Sequence, residues 1–110
     1  MSARVSIAVA TYNGARFAAE QLDSFLAQDR RPDEIVISDD GSTDETVEIA
    51  SDFANRAASV EVAIHRNPAP LGCSPNFSKA ASLCSGDLIF FSDQDDRWFP
   101  AKIGTVAGSF

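Results

Sequence analysis

The sequence has little positive charge, few cysteines and no long apolar run. Its 110 residues include 9 lysines and arginines against 16 aspartates and glutamates, which gives a net charge of −7. A nucleic-acid-binding domain normally presents a basic face, so this composition argues against a nucleic-acid partner. An anionic ligand stays compatible with it if a cation lies between that ligand and the acidic residues.

The two cysteines, Cys73 and Cys84, do not have the CxxC spacing of a metal site. We interpret them as reduced thiols in a reducing compartment. The opening residues, MSARVSIAVA, lack the apolar segment and cleavage site of a signal peptide. No apolar segment reaches the roughly 18 residues that a membrane span needs. The sequence therefore predicts a soluble, cytoplasmic protein.

Four short apolar segments alternate with three segments of helical pattern, which predicts one α/β domain. The strands are predicted over VSIAVA (5–10), EIVIS (34–38), VEVAIH (60–65) and DLIFFS (87–92). Their alternation with helices implies a mostly parallel sheet with helices on both faces and right-handed crossovers.

Capping residues and helix breakers set the predicted helix boundaries. The first helix is predicted over residues 15–28. Its apolar face is predicted to contain Phe17, Leu22, Phe25 and Leu26. Thr43 or Asp44 is the predicted cap of the second helix.

The third helix is predicted to begin at Ser74 and Pro75, a cap followed by a first-turn proline. It is predicted to run to about Cys84, with Gly86 as its C-terminal stop. Pro100 is a candidate start for one more helix.

Ligands of parallel α/β sheets bind beyond the carboxyl ends of the strands, near a topological switch point. The loops that follow strands one, two and four therefore hold the candidate functional residues. These loops read TYNG, DDGSTDET and DQDDRWFP, and two of the three are acidic.

Asp39 and Asp40 lie side by side at the end of the second strand. A plain strand-to-helix turn with an acidic cap explains Ser42 and Asp44 better than it explains this pair. A carboxylate at a strand end can instead accept a hydrogen bond from a ribose hydroxyl or a base N–H. Tyr12 is either a partly buried turn residue or a ring that stacks on a base.

Three aspartates, Asp93, Asp95 and Asp96, follow the apolar fourth strand. A solvated acidic turn is one interpretation of them. The spacing D-x-D favours a second one, because Mg²⁺ and Mn²⁺ prefer oxygen ligands and often bind one or two carboxylates together with substrate phosphates. We expect a divalent metal at this loop.

These motifs, in this order, resemble the inverting family 2 glycosyltransferases with the GT-A fold. The resemblance rests on VSIAVATYNG, IVISDDGSTDET, LGCSPNFSKAA and GDLIFFSDQDD, and it extends from about Val5 to Ile103. Each motif alone is weak, whereas DDGSTDET followed by D-x-D at this separation is specific. The fold implied is a Rossmann-like GT-A nucleotide-binding fold, here truncated.

The resemblance implies a nucleotide-diphosphate-sugar donor, with UDP or dTDP favoured, and Mn²⁺ or Mg²⁺ as cofactor. Thr11 and Tyr12 would lie against the base. Asp40 would hydrogen-bond the base, and Asp39 would be structural or secondary. Asp95 is expected to contact the metal, and Asp93 the ribose or a metal-bound water. The role of Asp96 is not fixed by the resemblance.

The resemblance also assigns residues 1–110 to the donor-binding part of a longer enzyme. In this family the general base and the acceptor site lie later in the chain, so both are expected beyond Phe110. We therefore expect these residues alone to be inactive in transfer and to self-associate through uncovered apolar surface. The complete enzyme is expected to glycosylate a glycan or lipid-linked acceptor, with rhamnosyl transfer in cell-envelope polysaccharide biosynthesis as one suggestion, and to lie in the cytoplasm or at the inner face of the membrane.

Three other functions are compatible with an acidic α/β domain of this size. A phospho-receiver domain needs an acidic pair after strand one, where this chain has TYNG. A nucleotidyltransferase usually has a glycine-rich basic loop at the same place, which this chain lacks. A non-catalytic nucleotide-binding module stays open as an alternative.

Overall fold

The computed structural model describes residues 3–92 and residue 103. Seven elements follow one another along this part of the chain. They are β1 (Val5–Thr11), α1 (Ala15–Leu26), β2 (Glu34–Asp39), α2 (Thr46–Arg56), β3 (Glu61–Arg66), α3 (Cys73–Ser82) and β4 (Leu88–Ser92). The predicted alternation of strands and helices is confirmed, and most boundaries differ from the predicted ones by one or two residues. The candidate helix at Pro100 lies outside the described residues.

The four strands form one parallel sheet in the order β3-β2-β1-β4. The chain crosses from β1 to β2 and then to β3 on one side, and returns past both to place β4 on the free edge of β1. The topological switch point therefore lies between β1 and β4, and the crevice at their carboxyl ends is where such sheets bind ligands.

Helices cover both faces of the sheet, as the alternating pattern predicts. On one face, α1 and α2 bury Phe25 and Phe53 against alternate residues of β1 and β2, including Ile7 and Ile35. On the other face, Ala80 of α3 packs on two small or branched strand residues. Because β1 and β2 are covered on both faces, nearly all of their residues are buried.

The predicted apolar face of α1 is wrong at Phe17. This ring is 41% exposed, and the guanidinium carbon of Arg16 lies 5.4 Å from its centroid. Ala18 and Gln21 occupy the buried face together with the predicted Leu22. The helical period was therefore right, but the phase at its first turn was not.

The predicted cap of α3, Ser74, is wrong, whereas the predicted first-turn position of Pro75 is confirmed. The helix begins at Cys73 after Gly72, whose φ of 93° favours glycine, and Pro75 lies within the first turn. Gly86 does not act as the helix stop, because α3 ends four residues earlier at Ser82. A Cβ at Gly86 would lie 2.8 Å from the carbonyl oxygen of Arg4, so this glycine allows close backbone approach instead.

The second helix begins at Thr46, after Glu45, and neither Thr43 nor Asp44 is its cap residue. Asp44 nevertheless accepts a hydrogen bond of 3.0 Å from the backbone N–H of Thr46. The predicted acidic capping contact therefore exists, but Asp44 makes it from one position further upstream.

Candidate functional site

A cavity of about 370 Å³ opens at the carboxyl end of the sheet, next to the first turn of α3. Its lining includes Thr11, Tyr12, Asp40, Gly72, Cys73 and Asn76. Three separate segments thus meet here: the end of β1, the loop after β2, and the start of α3. The sequence predicted that the first two of these would hold ligand-binding residues, and both contribute to one cavity.

The carboxylate of Asp40 is held by three N–H donors. Its Oδ1 accepts from the Asn67 side-chain amide at 2.9 Å and from the backbone N–H of Leu71 at 2.7 Å. Its Oδ2 accepts from the backbone N–H of Gly72 at 3.0 Å. The residue is buried, and these three contacts fix its orientation at the cavity wall.

These donors also favour the charged form of Asp40. The Leu71 backbone N–H and then the Asn67 amide lower the pKa of this carboxyl against the opposing effect of burial, and Gly72 and the nearby positive charge of Lys79 lower it further. Asp40 is therefore ionised at neutral pH and presents negative charge to the cavity.

Asp39 differs from its neighbour, because all four hydrogen bonds of its carboxylate go to the end of β1 and to the turn after β2. Its Oδ1 accepts from the hydroxyls of Thr11 at 2.7 Å and Ser42 at 2.6 Å. Its Oδ2 accepts from the backbone N–H groups of Ser42 at 2.8 Å and Gly41 at 3.2 Å. With no exposed surface and no free lone pair, Asp39 is placed to shape the DDGS turn.

The loop after β1 and the loop after β2 are joined by two hydrogen bonds between Asn13 on the first loop and Ser42 and Thr43 on the second. The Asn13 backbone N–H donates to the Ser42 hydroxyl at 2.8 Å. The Asn13 side-chain oxygen accepts from the Thr43 backbone N–H at 2.8 Å. Asn13 has a φ of 48°, a conformation that asparagine tolerates better than most residues.

Asp44 lies at the beginning of both α1 and α2. One oxygen accepts from the backbone N–H of Ala15 at 3.1 Å, and the other accepts from Thr46. The Thr46 hydroxyl is the largest of several contacts that lower the pKa of Asp44. A carboxylate here also opposes the positive ends of two helix dipoles, so we assign it a structural role.

Thr11 ends β1 and Tyr12 follows it, and both residues line the cavity. Tyr12 is 52% exposed at this cavity. Thr11 also lines the cavity, but it is buried and its hydroxyl donates to Asp39. Thr11, Tyr12 and Asp40 therefore share one cavity, whereas Asp39 lies beneath it.

Three polar residues beside Asp40 were not predicted from the sequence. Asn67 and Asn76 are buried, and the amide of Asn67 donates to the side-chain oxygen of Asn76 at 3.0 Å. Lys79 donates to the side-chain oxygen of Asn67 at 2.6 Å. The sequence did contain a signal for a buried polar network. Two asparagines stand next to proline or apolar residues, one after a strand and the other inside a helix.

The predicted metal ligands, Asp93 and Asp95, lie outside the described residues. Within residues 3–92 and 103, no group of three histidine, cysteine or acidic residues is arranged to hold a metal ion. Over the same residues, no helix is long and apolar enough to cross a membrane.

Two curated proteins illustrate the relatives of this chain. It is 39% identical over 98 residues to the dTDP-rhamnosyl transferase RfbG of Shigella flexneri, covering 86% of this chain and 34% of that protein. It is 32% identical over 109 residues to the glucosyl-dolichyl phosphate glucuronosyltransferase of Haloferax volcanii, covering 97% of this chain and 34% of that protein. The chain thus spans about a third of the length of these relatives.

Solved structures with the same fold include two proteins in complex with nucleotides. Staphylococcus aureus TarS (residues 1–349) in complex with UDP matches with a TM-score of 0.86 and 27% identity, over 96% of this chain and 31% of that one. The mannosyltransferase PcManGT from Pyrobaculum calidifontis, in complex with GDP-Man and Mn²⁺, matches with a TM-score of 0.85 and 26% identity, over 99% of this chain and 32% of that one.

The family assignment follows from these likenesses together with the fold. The family described as "Glycosyl transferase family 2" matches residues 6–110. Its solved relatives share the parallel sheet and the flanking helices found here. The chain belongs to glycosyl transferase family 2 and has the α/β fold of the GT-A glycosyltransferases.

Proposed function

We propose that this chain is the donor-binding part of an enzyme that transfers a sugar, with inversion, from UDP-sugar or dTDP-sugar to an acceptor hydroxyl. The observation behind this proposal is the ionised Asp40, buried at the wall of a cavity that Tyr12 also lines. Two solved structures of similar fold contain a bound nucleotide, which supports the proposal that this cavity binds one. They differ in the nucleotide bound, so family membership alone does not choose the base.

The hydrogen-bond count at Asp40 favours a pyrimidine with a single N–H donor. A carboxylate has about four acceptor positions, two on each oxygen. Both positions on Oδ1 are filled by Asn67 and Leu71, and one on Oδ2 is filled by Gly72. One acceptor position remains, on Oδ2, and it suits a ligand that donates one hydrogen bond.

Uracil and thymine meet this requirement, because each presents one N3–H between two carbonyl oxygens. Guanine presents N1–H beside an exocyclic amino group, and a carboxylate binds both donors only if its two oxygens are available. At Asp40 that would require guanine to displace Asn67 or Leu71. We therefore propose UDP or dTDP as the nucleotide of the donor.

Tyr12 and Thr11 have different proposed roles at the base. The exposed ring of Tyr12 would stack on the base, an interaction of about 1–3 kcal/mol in aromatic-base contacts. Thr11 is buried and donates its hydroxyl to Asp39, so it would support the base through its position at the cavity edge.

Asp93 and Asp95 are the proposed ligands of Mn²⁺ or Mg²⁺. They directly follow β4, which pairs with β1 up to Ser92 opposite Val9. Because β4 and β1 are parallel, β4 ends at Ser92 at the same end of the sheet where β1 ends before Tyr12. A bound metal would supply charge stabilisation for the leaving nucleoside diphosphate.

Calorimetric titration of the purified chain with UDP, dTDP and GDP in the presence of Mn²⁺ tests this proposal. We expect UDP or dTDP to bind at least about tenfold more tightly than GDP, because guanine costs one of the existing contacts of Asp40. Asp40→Asn should weaken UDP binding by a similar factor, whereas Asp52→Asn, on an exposed turn of α2, should not. Equal or tighter binding of GDP would refute the proposed base preference.

We also propose that the 110-residue chain self-associates through an apolar strip on β4. The strip consists of Ile89 and Phe91, which are 37% and 56% exposed, and Phe91 contacts the ring of Phe77. Within the described part of the sheet, β4 is an edge strand, and edge strands invite pairing with a second copy. Light scattering should show a dimer or larger species, and Phe91→Ser should reduce the fraction of associated protein. A chain that stays monomeric over the whole concentration range would contradict this proposal.

A further inference from the structure

Residues 67–72, from Asn67 to Gly72, form a short segment between β3 and α3, which we call the strap. Asp40 contacts the strap at both of its ends, because Asn67 donates to it at one end and Leu71 and Gly72 donate at the other. Gly72 also lines the cavity. The position of the strap therefore determines the shape of one cavity wall.

Lys79, on the second turn of α3, contacts the Asn67 end of the strap. Its ammonium nitrogen donates to the side-chain oxygen of Asn67 at 2.6 Å. In the part of the chain that the structure describes, no carboxylate oxygen lies within the 4.0 Å of an ion pair with it. A half-buried lysine directed at an amide oxygen is unusual, because most lysines extend their charge into water.

Hydrogen-bond chemistry lets Lys79 decide the orientation of the Asn67 amide. An ammonium group has donors only, so Asn67 must turn its oxygen toward Lys79. The amide NH₂ then points the other way, where it donates to Asp40 and to the side-chain oxygen of Asn76. Asn76 in turn donates to the backbone oxygen of Ser38 on β2 at 3.0 Å.

The result is a continuous chain of contacts from a positive to a negative charge: Lys79, Asn67, Asp40. The amide between them is polarised from both sides, which strengthens each contact. Removing the ammonium would leave the buried amide oxygen of Asn67 without a donor, a cost that the strap can relieve by moving.

We infer that Lys79 is a positioning residue of the donor cavity: through Asn67 it fixes the strap against Asp40 and keeps the one remaining acceptor of Asp40 directed at the ligand. Only the identity of the ligand rests on the proposed function. The contacts of the strap exist without ligand, so the two can be tested separately.

Amide hydrogen exchange of the ligand-free chain tests the positioning directly. In Lys79→Met, which keeps an unbranched side chain as far as Cε but has no donor, the backbone N–H groups of Leu71 and Gly72 should exchange on the order of tenfold faster. The N–H of Ser42, which donates to Asp39, is the internal control and should not change. Lys79→Arg keeps a charged donor and should restore part of the protection.

A second control separates positioning from loss of charge. Arg56→Met removes the same charge from an exposed residue, whose partner Asp23 is also exposed, and should leave exchange at Leu71 and Gly72 unchanged. The inference is overturned if Lys79→Met leaves these two amides as protected as before. It is also overturned if protection falls equally at Ser42, since that result means general destabilisation.

UDP binding then tests the consequence for the cavity. We expect Lys79→Met to weaken UDP binding on the order of tenfold, in step with the lost protection, with partial recovery in Lys79→Arg. Faster exchange at Leu71 and Gly72 with unchanged UDP affinity would overturn the role in the cavity. If the unmodified chain binds no nucleotide, the proposed function fails, while the exchange experiment still decides whether Lys79 positions the strap.

Discussion

The hydroxyl of Thr11 donates a 2.7 Å hydrogen bond to Oδ1 of Asp39, and so joins the last residue of β1 to the last residue of β2. Both residues are buried, and they also pair in the register of the parallel sheet. Asp39 therefore ties together the two strand ends beneath the cavity, while the adjacent Asp40 forms part of the cavity wall.

Asp39→Ala should reduce the free energy of unfolding by about 3 kcal/mol, because it leaves the N–H groups of Gly41 and Ser42 without their acceptor. Asp39→Asn should cost less, since the hydroxyls of Thr11 and Ser42 can rotate to accept from the new amide. Urea denaturation measures both. Asp52→Ala serves as the exposed control, and equal effects of Asp39→Ala and Asp52→Ala would contradict the structural role.

Ser38→Ala should be neutral or should raise the free energy of unfolding by about 1 kcal/mol. The Ser38 hydroxyl is buried without a hydrogen-bond partner among the described residues, so its removal ends an uncompensated desolvation. Ser6→Ala is the matched comparison, because the Ser6 hydroxyl donates to Glu34 at 2.7 Å and its loss should destabilise. A clear loss of stability in Ser38→Ala, measured by thermal unfolding, would show that this hydroxyl has a partner.

Stability should fall as the pH drops below about 4.5, through two carboxylates at the amino ends of the strands. Burial opposes ionisation of both, but hydrogen bonds from Val5 and Arg30 lower the pKa of Asp33 below its ordinary 3.8, and those from Ser85 and Ser6 lower the pKa of Glu34 below 4.5. A lowered folded-state pKa means stabilisation that is complete above the unfolded value and is lost as pH falls through the folded value.

The measurement is the free energy of unfolding between pH 7 and pH 3. In the double variant Asp33→Asn with Glu34→Gln, stability at pH 7 should be lower and the acid slope shallower. Exposed Asp52→Asn should retain the full slope. An unaltered slope in the double variant would mean that other groups cause the acid loss.

Cys73 should react with iodoacetamide at least about tenfold faster than Cys84 at pH 8. Cys73 is exposed and lines the cavity, whereas Cys84 is half-buried and its burial raises the pKa of its thiol to about 11, so little thiolate forms. UDP should slow the labelling of Cys73 in proportion to occupancy. Mass spectrometry locates the label, and Cys73→Ser should abolish the fast phase. If UDP does not slow the labelling of Cys73, this cavity is not the nucleotide-binding site.

Mn²⁺ should tighten UDP binding on the order of tenfold, because a cation offsets the repulsion between the diphosphate and the aspartates. Asp95→Ala should remove most of this gain while leaving the weaker, metal-free affinity in place. Calorimetry with and without Mn²⁺ measures the difference, and Asp52→Ala should retain the full effect. Equal affinity of the unmodified chain in both conditions would argue against a metal at D-x-D.

The fold was largely predictable because its strands are short apolar runs and its helices have a clear period. The strands end where glycine, asparagine or acidic residues begin, as at Asn13 and Gly41. The start of α3 was not predictable from Ser74 and Pro75, because the actual cap depends on the positive φ of Gly72, which Asp40 helps to hold from another part of the chain.

The site was predictable by position but not by orientation. Two adjacent aspartates at a strand end point to opposite sides, and the sequence does not say which side is the cavity. The contacts of Asn67 and Lys79 were missed because they span 27 and 12 residues and follow from the path of the strap. Long-range polar contacts of this kind have no local period or capping pattern.

The strand order also has a consequence for synthesis on the ribosome. β1 lies between β2 and β4, yet β4 ends at Ser92, 53 residues after the end of β2 at Asp39. At about 5–20 residues per second, the nascent chain exposes the free edge of β1 for roughly 3 to 10 s after β2 has been made. A parallel partner from so late in the chain makes folding slow, and during this interval the backbone edge of β1 that pairs with β4 in the folded sheet has no partner strand.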